Sequence, residues 1–436
     1  VLVCTVQDES AGRGTRTTLR LRLAPHRFGA AVSIRSALKR WGYGMPFPDA
    51  LVYRFVASVF YWTGRTFWRY RLDGLEKVPS DEPFLLLPNH SSLLDPFWVG
   101  TPVPRGVKAM ASATVMSVPY LGRLLSMCGA FAKMKYTKDR GAMQMLQKQF
   151  DDGYGILLFP EGNRSWTGEN LAVLPGIGRL IKRLGCKVVY ARINSAYLVQ
   201  PRWANYQRWV PVEITYDGPY EYGEHQTAEE ITAHVADRIA LTPHLKKPAR
   251  TFGFRMAYGL ENLLWACPGC FEMDRTLPDP ANGNHLLCRA CDVSWRVDVE
   301  CRLHGPSTSM TVAEAWAGVE NHFGSPPVAD RVHFEASGIA LSAPRGKVEL
   351  IPRGRGKKPE CVADGVVEVR KDGLHLSGGS TDAWSLGHDI LRGISMDMGN
   401  QLHFRVDAKL YRLTVEGQSP LKWAHFLRGW KQSPAA

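Results

Sequence analysis

Phe84-Leu85-Leu86-Leu87-Pro88-Asn89-His90-Ser91-Ser92-Leu93-Leu94-Asp95 is the stretch that decides how this chain is read. The apolar run Phe84 to Leu87 has the length and character of a buried strand, and Pro88 closes it. Asn89 and His90 therefore fall where the strand ends, with Asp95 five residues beyond the histidine. Pro96 disfavours helical geometry at Asp95 and itself suits the first position of a helix. Asp95 is thus expected to cap a helix while its carboxylate faces back toward the imidazole. A histidine at the open end of a strand, with a carboxylate in reach, is what a general base requires. Taken alone, His-x4-Asp is common, and a loop histidine beside a helix cap describes it equally well.

Size and composition narrow the field. The 436 residues allow about two to four domains and a substantial core. With 45% hydrophobic and 22% charged residues the composition is that of a globular protein. The net charge of +13 points to an anionic partner: a phospholipid surface, a nucleic acid or a phosphorylated substrate. No window has the uninterrupted apolar length of a membrane-spanning helix. Nine cysteines are present, four in two close pairs and the rest scattered, which is not a disulfide framework and suits a reducing compartment with one metal site.

Residues 1–45 are rich in Arg, Thr and Ser, have no signal-peptide core, and are expected to be a disordered leader. Pro48 to Tyr70 is dense in aromatics and carries Arg54, Arg65 and Arg69. At about 100° per residue the first two arginines lie about 20° apart, with Arg69 about 40° further on. One cationic stripe on an aromatic helix suits a helix lying flat at a bilayer surface; a core helix whose arginines reach solvent is the alternative.

Further along, a helix is expected from about Arg140 to Asp151, a strand over Ile156 to Phe159, a helix from Ile177 to Leu184 ending at Gly185, and a strand over Lys187 to Ile193. Strands alternating with helices argue for an α/β layer with functional residues at strand ends. The first of these strands runs straight into Pro160-Glu161-Gly162-Asn163-Arg164.

Two motifs in this order, Asn89-His90-x4-Asp95 and then Phe159-Pro160-Glu161-Gly162, resemble those of the glycerophospholipid acyltransferases, in particular the lysophosphatidate (1-acylglycerol-3-phosphate) acyltransferase group. Asp73-Gly74-Leu75-Glu76-Lys77-Val78-Pro79 is also similar to the segment before the histidine in that group, and the likeness covers roughly residues 50–245. The resemblance implies an α/β acyltransferase domain with a mixed sheet flanked by helices. It implies His90 as the base that takes the proton from an acceptor hydroxyl, and Asp95 as its orienting carboxylate, with no covalent serine. It further implies that Glu161, Gly162 and Arg164 position the acceptor and its phosphate. The donor would be an acyl thioester on coenzyme A or acyl carrier protein. The acceptor would be 1-acylglycerol 3-phosphate, with glycerol 3-phosphate or another lysolipid as alternatives.

The departures from the family pattern bear on that acceptor. Where the second motif ends in arginine, six residues after its glycine, this chain has Lys135 counted from Gly129. A lysine keeps the charge but lacks the planar fork; Lys133, Lys138 and Arg140 lie close in sequence and can compensate. No lysine stands near Leu174-Pro175-Gly176, and Tyr190 holds the place of the fourth motif's proline. Cys128 and Cys186 sit in apolar surroundings and are not expected to act as nucleophiles.

Cys267-Pro268-Gly269-Cys270 and, after seventeen intervening residues, Cys288-Arg289-Ala290-Cys291 have the spacing of a zinc ribbon. Four protein ligands would make the zinc structural. His285, Cys301 and His304 stand nearby as spare donors, and a redox dithiol is the competing reading. A basic zinc-ribbon protein binding nucleic acid is the rival of a different class, but Arg275, Arg289 and Arg296 are sparse and have no aromatic platform among them.

After a helix over Thr311 to Phe323, short alternating segments run from Val332 to Val415, with Asp372-Gly373 and Gly399-Asn400 as hairpin turns. Ser419 and Pro420 then open an aromatic C-terminal helix. Many antiparallel strands closed by one helix is similar in pattern to pleckstrin-homology or GRAM-like domains, which implies a mainly-β module that binds a headgroup or partner, or simply adds structure. The expected organisation is a leader over 1–45, an acyltransferase domain over 46–250, a zinc ribbon over 262–304 and a β-rich domain over 305–436. The expected setting is peripheral attachment at the cytoplasmic face of an anionic membrane.

Overall fold

The computed structural model describes residues 49–134, 139–241, 243, 250–324, 338–352, 358–396, 401–407 and 409–430. The expected leader, Lys135, Lys138, the segment Val332 to Glu335 and the Gly399-Asn400 turn lie outside the described residues.

Seven strands form the first sheet: β1 (Arg71–Asp73), β2 (Phe84–Pro88), β3 (Val107–Ser112), β4 (Phe131–Lys133), β5 (Gly155–Leu157), β6 (Lys187–Asn194) and β7 (Glu213–Tyr220), in the order β1-β7-β6-β2-β5-β3-β4. β2 lies parallel to both β5 and β6, and β3 continues the parallel run to β4. β7 is antiparallel to β6, so the sheet is mixed, as expected. Flanking helices are α1 (Asp49–Phe67), α2 (Asp95–Gly100), α3 (Arg140–Asp151), α4 (Gly176–Leu184) and α5 (Ala228–Ile239).

The unbroken apolar run of β2 has a simple cause. Successive side chains point to opposite faces of the sheet, and both faces are covered. Leu85 and Leu87 join a core with Leu146 of α3, Ile177 and Ile181 of α4, and Ile231 and Val235 of α5. Helices α4 and α5 approach closely because residue 178 is glycine; a Cβ there would stand 1.9 Å from the Ala228 carbonyl oxygen. Phe84 and Leu86 join the opposite core, with Trp98 and Val99 of α2. That core continues through Trp203 and Trp265 to Leu427 near the C-terminus.

The second sheet has five antiparallel strands: β8 (Thr276–Pro278), β9 (His285–Cys288), β10 (Ser294–Val297), β11 (Arg302–His304) and β12 (Ser309–Thr311). α6 (Val312–Phe323) follows, opened by a capping box between Thr311 and Glu314. The third sheet is antiparallel and runs β16-β15-β14-β13-β19-β18-β17. Its strands are β13 (Ile339–Ile351), β14 (Glu360–Arg370), β15 (Gly373–Gly378), β16 (Trp384–Gly387), β17 (Arg392–Met396), β18 (Leu402–Val406) and β19 (Lys409–Val415). α7 (Pro420–Trp430) is the last described element, with Ser419 Oγ accepting from the N–H groups of Leu421 and Lys422.

Several expected boundaries shift, each for a local reason. The segments 338–341 and 347–351 are one strand, β13; the register slips between Ala343 and Gly346, and this irregularity accommodates Pro344 without ending the strand. Arg370 pairs with Gly373, so the tight turn is Lys371-Asp372, one residue earlier than expected. Strand β5 stops at Leu157, leaving Phe159 beyond the strand. Helix α1 ends at Phe67, and Arg69 has a left-handed φ of 43°, so it leaves the stripe of Arg54 and Arg65. No helix among the described residues is long and apolar enough to cross a membrane.

Candidate active site

The site sits where β2 ends. Asn89 first extends the pairing of β2 with β6: its Oδ1 accepts from Ile193 N at 2.7 Å and its Nδ2 donates to Ile193 O at 3.5 Å. That lateral bond releases the chain from the strand and delivers His90 to the open edge.

His90 Nδ1 stands 3.0 Å from Asp95 Oδ2. The same carboxylate oxygen accepts from the backbone N–H groups of Ser91 and Ser92, both at 2.7 Å. Asp95 is fully buried and lies in the first turn of α2, whose N-cap is Leu94. The expectation that Asp95 itself caps this helix is therefore corrected. Its carboxylate caps the turn before the helix, and Pro96 is accommodated within the first turn, where no intrahelical N–H bond is needed. An oxygen that already accepts two N–H groups offers Nδ1 only an acceptor, which suits the imidazole tautomer with its proton on Nδ1. The imidazole stacks on Phe159, with ring centroids 3.9 Å apart.

The second motif of the pair closes over the first. Glu161 Oε1 accepts the backbone N–H of His90 at 2.8 Å, and the His90 carbonyl accepts from Ser165 N at 3.0 Å. Glu161 Oε2 accepts from Leu171 N at 2.6 Å, and Asn170 Nδ2 adds a bond to Oε1 at 3.3 Å. Both carboxylate oxygens are thus engaged by protein donors, and the side chain braces the histidine loop. Burial pushes the Glu161 carboxyl up to about 7, against the lowering effect of the Leu171, His90 and Asn170 donors; the neighbouring Asp95 raises it further. Gly162 turns the loop at a left-handed φ of 68°, and a Cβ there would meet Leu174 Cδ1 at 2.7 Å.

Of the expected phosphate-binding residues, Arg164 follows this turn directly, its backbone N–H bonded to Asn163 Oδ1 at 3.1 Å. Lys133 ends β4 at the same edge of the parallel strands as His90, with β5 and β3 between. Arg140 is exposed at the start of α3, where Asp139 caps the helix by accepting from Ala142 N. Tyr190 is buried within β6 and hydrogen-bonds the Tyr222 hydroxyl. Three partners of the site were not singled out from the sequence: the amides of Asn89 and Asn170, and Arg202. Asn89 lies inside the first motif, but neither Asn170 nor Arg202 has a spacing or periodicity that marks it.

The four paired cysteines form a second cluster. Their sulfur atoms all lie within 4.8 Å of one another, with Cys267 to Cys291 at 3.9 Å and Cys270 to Cys288 at 3.7 Å. Tetrahedral Zn–S bonds of about 2.3 Å require S···S separations of about 3.8 Å. Backbone N–H groups of Gly269 and Ala290 point at Cys267 and Cys288 sulfurs, both at 3.4 Å, as thiolate ligands need. The donor set fits a metal ion. His285 and His304 are engaged elsewhere, with Ser294 and Asp298, and Cys301 receives a hydrogen bond from Arg208.

Residues 69–193 match the family model described as Acyltransferase. A 1-acyl-sn-glycerol-3-phosphate acyltransferase of Saccharomyces cerevisiae is 29% identical over 141 residues, which cover 30% of this chain and 46% of that protein. The chain thus spans a little under half the length of this relative. The crystal structure of the 1-acyl-sn-glycerophosphate (LPA) acyltransferase PlsC from Thermotoga maritima is similar at 20% identity and a TM-score of 0.37, over 44% of this chain and 76% of that one. The family model and the yeast relative bear out the resemblance that the two motifs carry.

Proposed function

We propose that the protein is an O-acyltransferase that moves a fatty-acyl group from an acyl thioester to the free hydroxyl of 1-acylglycerol 3-phosphate, giving phosphatidate. The observation that carries this reading is the 3.0 Å contact between His90 Nδ1 and Asp95 Oδ2 at the end of a buried strand. As the acceptor oxygen attacks the thioester carbonyl carbon, His90 Nε2 takes the hydroxyl proton, and Asp95 stabilises the imidazolium. The tetrahedral intermediate then collapses, the C–S bond breaks, and His90 returns the proton to the departing thiolate. The products are an ester and a free thiol on coenzyme A or acyl carrier protein.

Arg164, with Lys133, Lys135, Lys138 and Arg140, supplies the positive charge for the acceptor phosphate; Gly162 shapes the turn, and Glu161 braces it. Helix α1 is the membrane contact. Leu51, Phe55, Val59 and Trp62 are all exposed, Phe55 at 69% and Trp62 at 66%. At about 100° per residue they fall within about 80° of one another, beside Arg54 and Arg65. An apolar stripe flanked by arginines suits peripheral attachment to an anionic bilayer at the cytoplasmic face. The opposite side of α1 is held to the protein by Phe60 stacked on Phe97 at 4.3 Å and by Tyr53 Oη donating to Gly100 O. We read the cysteine-bearing sheet as a zinc ribbon with Cys267, Cys270, Cys288 and Cys291 as ligands, a metal that would supply fold stability and no chemistry. The third sheet, with α7 after its last strand, we read as pleckstrin-homology-like.

Purified protein offered radiolabelled acyl-CoA with lysophosphatidate, glycerol 3-phosphate and neutral lysolipids tests the assignment. Phosphatidate formation abolished in His90→Ala is expected. Undiminished turnover in that variant would remove His90 as the base. Tight binding to DNA or RNA with no acyl transfer would favour the rival class.

A further inference from the structure

We propose that Arg202 is the positioning residue of the acceptor loop Pro160 to Ser165, and that through it the C-terminal sheet is a structural part of the active site. The proposal rests on the reading of that loop as the acceptor site. Arg202 is 6% exposed and lies after a short helix, Ala196–Val199, on the chain that leaves β6. Its Nη1 donates to the Arg164 carbonyl at 2.8 Å and to Asn163 Oδ1 at 3.2 Å. Its Nη2 donates to the Met396 carbonyl at 2.7 Å, the last residue of β17. The guanidinium carbon lies 4.4 Å from the centre of the Trp166 ring.

One planar group therefore joins three points: the backbone of Arg164, the side chain that also accepts from Arg164 N, and the third sheet. The loop it holds is the one whose Glu161 and Ser165 bond both sides of the His90 peptide. The sheet end is itself secured, since Arg428 of α7 donates to the Ile394 carbonyl at 3.2 Å. Lysine cannot reproduce this, because an ammonium has neither the fork that serves two directions nor the flat face that stacks on Trp166. Arg202 touches no reacting atom in the proposed mechanism. Its effect is to fix the backbone that carries Arg164, and so it acts on acceptor binding more than on proton transfer.

The test uses the full chain with Arg202→Gln, Arg202→Lys and Asn163→Ala, the last removing one of the arginine's acceptors while keeping the guanidinium in place. Kinetics are read separately for acyl-CoA and for 1-acylglycerol 3-phosphate, and amide deuterium exchange is followed over residues 160–168. Arg202→Gln is expected to raise KM for the phosphorylated acceptor about tenfold, with KM for acyl-CoA unchanged and kcat within about threefold. Arg202→Lys and Asn163→Ala should fall between it and the wild type, and exchange at residues 162–165 should speed up in the same order. A uniform fall in kcat with both KM values unchanged, or unaltered exchange in the loop, would overturn the proposal. If the wild-type protein acylated no phosphorylated acceptor, the functional reading would fall on its own, and the exchange measurement would still decide whether Arg202 holds the loop.

Discussion

His90 and Glu161 are 71 residues apart in sequence, and the backbone N–H of the first donates to the carboxylate of the second at 2.8 Å. The bond makes one unit of two motifs, with the proposed base on one strand end and its brace on the next.

Removing the charge at Asp95 should cripple the base without removing it. Asp95→Asn replaces one oxygen with an amide donor where His90 Nδ1, Ser91 N and Ser92 N all approach Oδ2. Loss of general-base assistance is expected to lower kcat roughly 10²–10⁴-fold, with the melting temperature a few degrees lower. Steady-state kinetics beside a thermal melt check both; full activity in a folded variant would dismiss the dyad.

Glu161 should give the fold a pH dependence of known sign. Its carboxyl is raised from 4.5 to about 7 by burial, so between those values the native state holds a proton that the unfolded chain has lost. Stability from this group is therefore complete below about pH 4.5 and declines as pH rises toward 7, by on the order of 3 kcal/mol as an upper bound. In Glu161→Gln the side chain stays neutral, so this part of the slope should vanish, although the variant starts lower because its amide opposes Leu171 N–H. Urea unfolding midpoints from pH 4.5 to 7.5 decide the matter; parallel curves for the two proteins would rule it out.

The four-cysteine cluster should carry about one zinc per chain, by analogy of spacing with tetrahedral thiolate sites. Cys288→Ser is expected to lose the metal and several kcal/mol of stability, since ligand binding energy is folding energy in such sites. Metal analysis of the purified protein, with a chelator titration followed by circular dichroism, measures it. Finding no metal in well-folded protein would end this assignment.

Lys422 of α7 has a side chain 1% exposed, paired with Asp274 between the two cysteine pairs. Burial lowers the lysine's pKa while the aspartate opposes that effect. Asp274→Ala should cost about 1–3 kcal/mol by leaving the ammonium without its partner, less than for a fully buried pair because Asp274 is 39% exposed, whereas Asp274→Ala with Lys422→Met should recover most of it. A double-mutant cycle by chemical denaturation checks this; additive losses would show that the pair is not coupled.

The apolar stripe on α1 should matter for vesicles and not for folding. Phe55→Ser with Trp62→Ser is expected to weaken binding to vesicles of anionic phospholipid about 10²–10⁴-fold, at roughly 1.5–3 kcal/mol for each fully buried side chain. The melting temperature should hold, since both residues are exposed. Unchanged vesicle sedimentation would move the membrane contact elsewhere.

Much of this organisation was legible because it is local. β2 is an apolar run short enough for a strand and covered on both faces, and His90 and Asp95 are five residues apart on one turn. The cysteine pairs carry their own spacing. Boundaries were less legible: α1 stops at Phe67 because the backbone turns left-handed at Arg69, and β13 runs through Pro344 because a register shift absorbs it. Neither event leaves a trace in hydrophobic period.

By itself the sequence determined the proposed dyad, since a strand end, a histidine and a nearby carboxylate are set by bonds along the chain. The tertiary structure alone decided how that chemistry is held. Asn89 reaches Ile193 because β6 lies beside β2, and Glu161 reaches His90 because β5 lies on its other side. Arg202 reaches Met396 across 194 residues because a continuous apolar core brings the third sheet to the acceptor loop. Strand order and packing between sheets are cooperative outcomes of many weak apolar contacts, and no spacing between two residues encodes them.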